Sequence, residues 1–159
     1  MPEQLGVDRW SAIVGAWQRY RSALCIIDAG SALTIDLLSS KGQHFGGIIL
    51  PGLGLMQSVL IKDTSDISYF FDQSSSFSSS NDWYGKSTAS AVSKGCLFSI
   101  TKTIESAVNK FSESVEKPKI VMTGGDAHLL LDNLPIKVEH LPFLVLEGLS
   151  LLSNKGIEN

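Results

Sequence analysis

Four short stretches combine residue types that do chemistry. Gly6-Val7-Asp8-Arg9 puts a carboxylate beside a guanidinium at the start of an amphipathic segment. A carboxylate so placed can orient a hydroxyl nucleophile and take its proton, and a guanidinium fork matches a planar carboxylate. Asp28-Ala29-Gly30-Ser31 sets an acid, a glycine and a hydroxyl at the break between two apolar runs. With no side chain at Gly30, a polyphosphate can approach the backbone closely. Thr88, in "GKSTASA", offers a hydroxyl at a helix start, and Gly124-Gly125, in "TGGDA", lie where a strand passes into a helix.

Each stretch also has a plain structural reading. Asp8 can cap a helix while Arg9 is solvated, Asp28 can close an Asx turn, Thr88 can bond a free helix N–H, and a glycine pair can serve a strand-to-helix turn for steric reasons alone. Asp36 reads as a partly exposed acid at the far end of a strand. His44, His128 and His140 lack the spacing of metal ligands.

The elements that must position these residues follow from apolar periodicity. Trp10, Ile13, Val14 and Trp17 predict an amphipathic helix from Val7 to Tyr20. Leu24 to Ile27, a turn at Asp28 to Ser31, and Ala32 to Leu38 predict a β-hairpin; His44 to Leu50 predicts a third strand, stopped by Pro51-Gly52. Leu53 to Ile61 reads as a short helix and the Ser-rich stretch 65–82 as a surface loop. Val92, Cys96, Ile100, Ile104, Val108, Phe111 and Val115 predict one long helix from Ser87, its first half rich in small residues. "KIVMT" reads as a buried strand, Asp126 to Leu131 as a short helix, "IKVEHL" as a last strand and Phe143 to Leu152 as a final helix after Pro142. Hairpin-connected strands followed by strands alternating with helices imply a mixed sheet covered by helices, an α/β architecture.

The 159 residues are 43% hydrophobic with a net charge of −3, enough apolar material for one core. The charges form no basic stripe, which argues against nucleic acid as a partner. Cys25 and Cys96 lie among apolar or small residues with no Cys-x-x-Cys spacing, as buried reduced thiols do, and the chain shows neither a membrane span nor a signal-peptide pattern. A cytoplasmic location is expected.

Taken in order, "LGVDRW", "DAGSALTID" with "GGIILPGLGLM", "YGKSTASAVSKG" and "TGGDA" resemble the type III pantothenate kinases over the whole chain. The resemblance implies a ribonuclease-H-like domain of the acetate and sugar kinase, Hsc70 and actin superfamily, with residues 1–22 as an interdomain helix and 23–159 as the C-terminal domain. It implies phosphorylation of pantothenate in coenzyme A synthesis by a homodimer, using ATP with Mg²⁺ and a monovalent cation, K⁺ or NH₄⁺.

By the same resemblance, Gly6, Val7, Asp8 and Arg9 bind pantothenate, with Asp8 the general base and Arg9 on the substrate carboxylate. Asp28 is the cation ligand. Gly30 and Ser31, where the family usually has Thr, contact ATP, and Gly124 and Gly125 line its adenosine part. Thr88 reaches substrate from the neighbouring subunit, with the long helix at the dimer interface. The family's first domain carries an Asp-x-Gly-Asn-Thr phosphate loop with no counterpart here, so the chain is expected to be a C-terminal half that is not a competent kinase alone: either a truncated or split product that needs a separate N-terminal half, or a fragment that never works alone. A non-catalytic relative acting in transcriptional regulation is the alternative; another kinase or phosphatase of the superfamily is disfavoured by the joint presence of "GVDR" and "GKST".

Overall fold

The computed structural model describes residues 5–63 and 82–155. The elements in chain order are α1 (Val7–Tyr20), β1 (Leu24–Ala29), β2 (Ala32–Leu38), β3 (His44–Pro51), α2 (Leu53–Asp63), α3 (Thr88–Ser114), β4 (Lys119–Thr123), α4 (Ala127–Leu131), β5 (Glu139–His140) and α5 (Leu144–Lys155). The Ser-rich stretch read as a loop lies outside the described residues except for Asp82.

The strands form one five-stranded sheet in the order β3-β2-β1-β4-β5. β1, β2 and β3 are antiparallel neighbours, while β4 runs parallel to β1 and β5 parallel to β4. This is the mixed sheet that the element order predicts. Two boundaries differ. β1 continues through Asp28 and Ala29, which pair with Thr34 and Leu33, so the hairpin turn is only Gly30-Ser31. β5 is two residues long, not six, and pairs with β4 through Glu139 and His140.

Strand side chains alternate between faces. On one face Leu24, Ile26, Leu38 and Val121 pack under α1 and α5, with Ala12, Ile13, Ala16 and Leu144 completing that core. On the other, Cys25, Ile27, Leu33, Ile35 and Met122 pack under α3 through Val92, Cys96, Ile100, Ile104 and Phe111. Both cysteines are buried free thiols, as expected. A Cβ at Gly148 of α5 would stand 1.8 Å from the Ser11 carbonyl oxygen of α1, so this glycine sets how closely the two helices meet. At the end of α1, Tyr20 donates its hydroxyl to Glu139 Oε1 (2.6 Å), tying the helix to β5. Among the described residues, no helix is long and apolar enough to cross a membrane.

Candidate active site at the carboxyl end of the first strand

α1 begins without a side-chain cap. Gly6 holds the N-cap position, and Asp8 sits exposed in the first turn with no capping bond. The carboxylate is therefore not occupied with the helix end. Arg9, the next residue, turns toward the sheet and meets Asp36 of β2 through two parallel bonds, Nε–H to Oδ2 (2.9 Å) and Nη2–H to Oδ1 (2.5 Å). His44 of β3 donates from Nε2 to the same Oδ1 (2.7 Å). The bond to Asp36 raises the Arg9 pKa further above its ordinary value, against an opposing contribution from burial.

Asp36 corrects the sequence reading. It is 2% exposed and lies mid-strand, paired with Ile26 on one side and Gly47 on the other. A carboxylate tolerates such burial only when paired and hydrogen-bonded, and Arg9 and His44 supply that. Gly47 makes the meeting possible. A Cβ there would lie 2.6 Å from Asp36 Oδ1 and 2.8 Å from Arg9 Nη2, inside the ion pair. Sequence reasoning passed over Asp36, His44 and Gly47. The available signal was a glycine inside a strand, which marks a place where something approaches closely.

Asp28 stands one strand over, half-buried, with Thr34 and Thr123 opposite it on the two neighbouring strands. Among the described residues its carboxylate accepts no hydrogen bond, so the Asx-turn reading does not hold. Burial raises its pKa most, and the negative charges of Asp8 and then Asp36 raise it further. Three carboxylates and one guanidinium thus share a neighbourhood, and the guanidinium is committed to Asp36.

The glycines gather at the same end of the sheet. The Gly30 N–H bonds the Ala32 carbonyl (3.1 Å) to close the hairpin turn, and Ser31 projects into solvent. Gly124 has φ +97°, and a Cβ on it would lie 2.3 Å from the Ala29 carbonyl oxygen. The turn after β4 therefore packs directly on the end of β1, where the Asp126 N–H bonds the Ala29 oxygen (2.9 Å). Beyond Gly124 and Gly125 a cleft of about 430 Å³ opens, walled by His128, His140, Pro142 and Val145. A wider, more apolar groove of about 1390 Å³ runs between β3 and α3 on the opposite face; Gly47 borders it, whereas Asp8, Arg9, Asp28 and Asp36 do not.

Thr88 is not brought to this site within one chain. It is the exposed first residue of α3, which packs on the other face of the sheet from α1. The capping role belongs to Ser87, whose Oγ accepts the Ser90 N–H (3.2 Å) while Ser90 Oγ accepts the Ser87 N–H (2.9 Å). The Thr88 hydroxyl makes no hydrogen bond among the described residues.

Among the described residues no group of three or more His, Cys, Asp or Glu forms a metal-binding cluster. The carboxylate oxygens of Asp28, half-buried and without a hydrogen-bond donor among the described residues, suit a hard cation held by few protein ligands and completed by water or phosphate oxygens. The Gly30-Ser31 turn, with Ser31 exposed, leaves room for a polyphosphate near backbone, whereas Gly124 is accounted for by its packing on Ala29.

A three-strand antiparallel meander extended by parallel strands, with helices on both faces, is the architecture of a ribonuclease-H-like domain. Two solved structures share the fold. One is a protein described as a Baf family transcriptional activator from Campylobacter jejuni (TM-score 0.68, 24% identity, 99% of this chain and 67% of that one). The other is the activator of 2-hydroxyisocaproyl-CoA dehydratase from Clostridium difficile with bound ADPNP (TM-score 0.51, 16% identity, 96% and 70%).

The family model for type III pantothenate kinase matches residues 1–110. The type III pantothenate kinase of Nitrosococcus oceani is 37% identical over 155 residues, covering 94% of this chain and 56% of the relative. That of Alcanivorax borkumensis is 38% identical over 149 residues, covering 93% and 58%. The chain belongs to the type III pantothenate kinase family. It spans less than two thirds of the length of these curated relatives.

Proposed function

We propose that this chain carries the acceptor-activating and cation-binding part of an enzyme that phosphorylates pantothenate to 4′-phosphopantothenate with ATP. The observation that carries the reading is an exposed Asp8 that caps nothing near a half-buried Asp28 with no hydrogen-bond donor among the described residues, beside an Arg9 already held in place. A half-buried carboxylate such as Asp28 is costly to fold around, and a site that receives a cation there explains it.

ATP with Mg²⁺ supplies the transferable phosphoryl group. Asp8 accepts the proton of the pantothenate hydroxyl and orients that oxygen for in-line attack. Arg9 pairs with the pantothenate carboxylate at the far end of the substrate, and Gly6 and Val7 present backbone beside it. Asp28 ligates a monovalent cation, K⁺ or NH₄⁺, next to the phosphates. Gly30 and Ser31 contact the phosphates by backbone and hydroxyl, and the Gly124-Gly125 turn borders the adenosine. Thr88, uncommitted at its helix start, reaches the substrate of a second subunit in a cytoplasmic homodimer.

The test separates base from cap. Asn cannot act as a base, and Asp8 makes no capping bond whose loss would unfold the chain. Combined with a complete first domain, Asp8→Asn is expected to bind pantothenate as the wild type does and to lose at least roughly a hundredfold in turnover, the lower range for general-base catalysis. Turnover retained in that variant rejects the assignment.

A further inference from the structure

We infer that Asp36 is the positioning residue of Arg9, and that it decides which edge of the guanidinium meets a substrate carboxylate. A guanidinium offers carboxylates two forks, a side-on pair (Nε and one Nη) and an end-on pair (both Nη). Asp36 takes the side-on pair, through Nε–H to Oδ2 at 2.9 Å and Nη2–H to Oδ1 at 2.5 Å. The guanidinium makes no other hydrogen bond among the described residues. Nη1 and the second Nη2–H therefore form the edge left for a ligand.

The clamp is rigid by construction. Asp36 is mid-strand and buried, and His44 Nε2–H holds its Oδ1 from β3 at 2.7 Å. Gly47, opposite Asp36, leaves the room in which the pair forms. Three elements, α1, β2 and β3, thus fix one side chain that is otherwise rich in rotamers, so the ordering loss falls on folding and not on binding. Asp36 also neutralises Arg9, and an anion is then selected by fork geometry more than by long-range attraction. This inference rests on the reading of Arg9 as the pantothenate carboxylate partner.

The full chain with ¹⁵N-labelled arginine provides the test, titrated with pantothenate and with pantothenol, in which a hydroxymethyl group replaces the carboxylate. The Arg9 Nε–H resonance is assigned by its loss in Arg9→Lys. Wild type is expected to show it sharp and slow to exchange with water. Asp36→Asn should broaden it and weaken pantothenate binding roughly tenfold, the scale of a lost charge-assisted bond, with pantothenol binding unchanged. His44→Gln should move both readouts the same way by less.

An unchanged Nε–H resonance and unchanged pantothenate affinity in Asp36→Asn overturn the inference. If that variant does not fold, His44→Gln decides by the same two readouts. Arg9→Lys losing affinity while Asp36→Asn keeps it would leave the carboxylate reading standing and remove the positioning role. No effect of Arg9→Lys, or no pantothenate binding by wild type, removes both.

Discussion

Arg9 and Asp36, 27 positions apart, form a two-bond ion pair that joins the first turn of α1 to the middle of β2. The Asp36 side chain is 3% exposed and that of Arg9 18%. The pair is both the seam between helix and sheet and the support of the candidate site, so a change in either residue has a stability component that must be measured beside any effect on binding.

Removing Asp36 altogether should be expensive. Asp36→Ala strands the Arg9 charge in a part-buried place and is expected to cost about 3 kcal/mol, the range for breaking a buried pair from one side. Denaturant unfolding of the variant against wild type, with m unchanged, measures it.

The two glycines after β4 should behave oppositely. Gly124→Ala meets both a positive φ and the Ala29 carbonyl and is expected to lose about 2 kcal/mol. Gly125→Ala has nothing within 4 Å of the new methyl and should fold like wild type. Equal thermal midpoints for the two would contradict the close packing of that turn on β1.

Asp28 should destabilise the ligand-free fold. Its pKa is raised from an ordinary 3.8 by burial first and by Asp8 and Asp36 after that. A raised value means that the stability present below the unfolded pKa is lost as pH rises through the folded one, so at neutral pH the ionised side chain opposes folding. Asp28→Asn is expected to raise Tm at pH 7 in a buffer without K⁺ or NH₄⁺. Adding K⁺ should narrow the gap by stabilising wild type alone; a K⁺ effect of the same size in both proteins would count against Asp28 as the ligand.

Tyr20 sets an alkaline limit. Burial first, then the bond to Glu139, pushes its phenol up to about 12 from 10.0. The protonated phenol is the form the fold favours, so this contribution is intact below pH 10 and disappears as pH climbs toward 12. A spectrophotometric titration should show one late phenol that is missing in Tyr20→Phe, and that variant's stability should fall less steeply over the same window.

The thiols should be silent. Burial drives Cys25 up to about 12, with a further push from Asp36, and raises Cys96 as well. Ellman's reagent at pH 8 is expected to label neither in the native chain and both in denaturant. Fast labelling of Cys25 without denaturant would mean that the β1 core opens locally.

Where local periodicity carried the information, it carried nearly all of it. The spacing of Trp10, Ile13, Val14 and Trp17 marks α1 from Val7 to Tyr20, and the apolar residues from Val92 to Phe111 mark α3, because a helix face is written in neighbours three and four apart. Short edge pairing is less legible. "IKVEHL" has a strand's composition, but the strand itself is Glu139 and His140, with one further bond from the Leu141 N–H to the Met122 carbonyl, and whether a partner strand is in reach is not a local property.

By itself, then, the sequence determined the order and kind of the elements, the buried thiols, and the motifs "GVDR", "DAGS", "GKST" and "TGGD" that mark the family. The tertiary structure decided which polar groups meet. It turned Asp36 from a partly exposed strand-end acid into the buried partner of Arg9, recruited His44 and Gly47, left Asp28 without a donor among the described residues and moved the capping role from Thr88 to Ser87. The reason is physical: a hydrogen-bond partner depends on sheet register and on where a helix lands, and those are settled by packing between segments far apart in the chain.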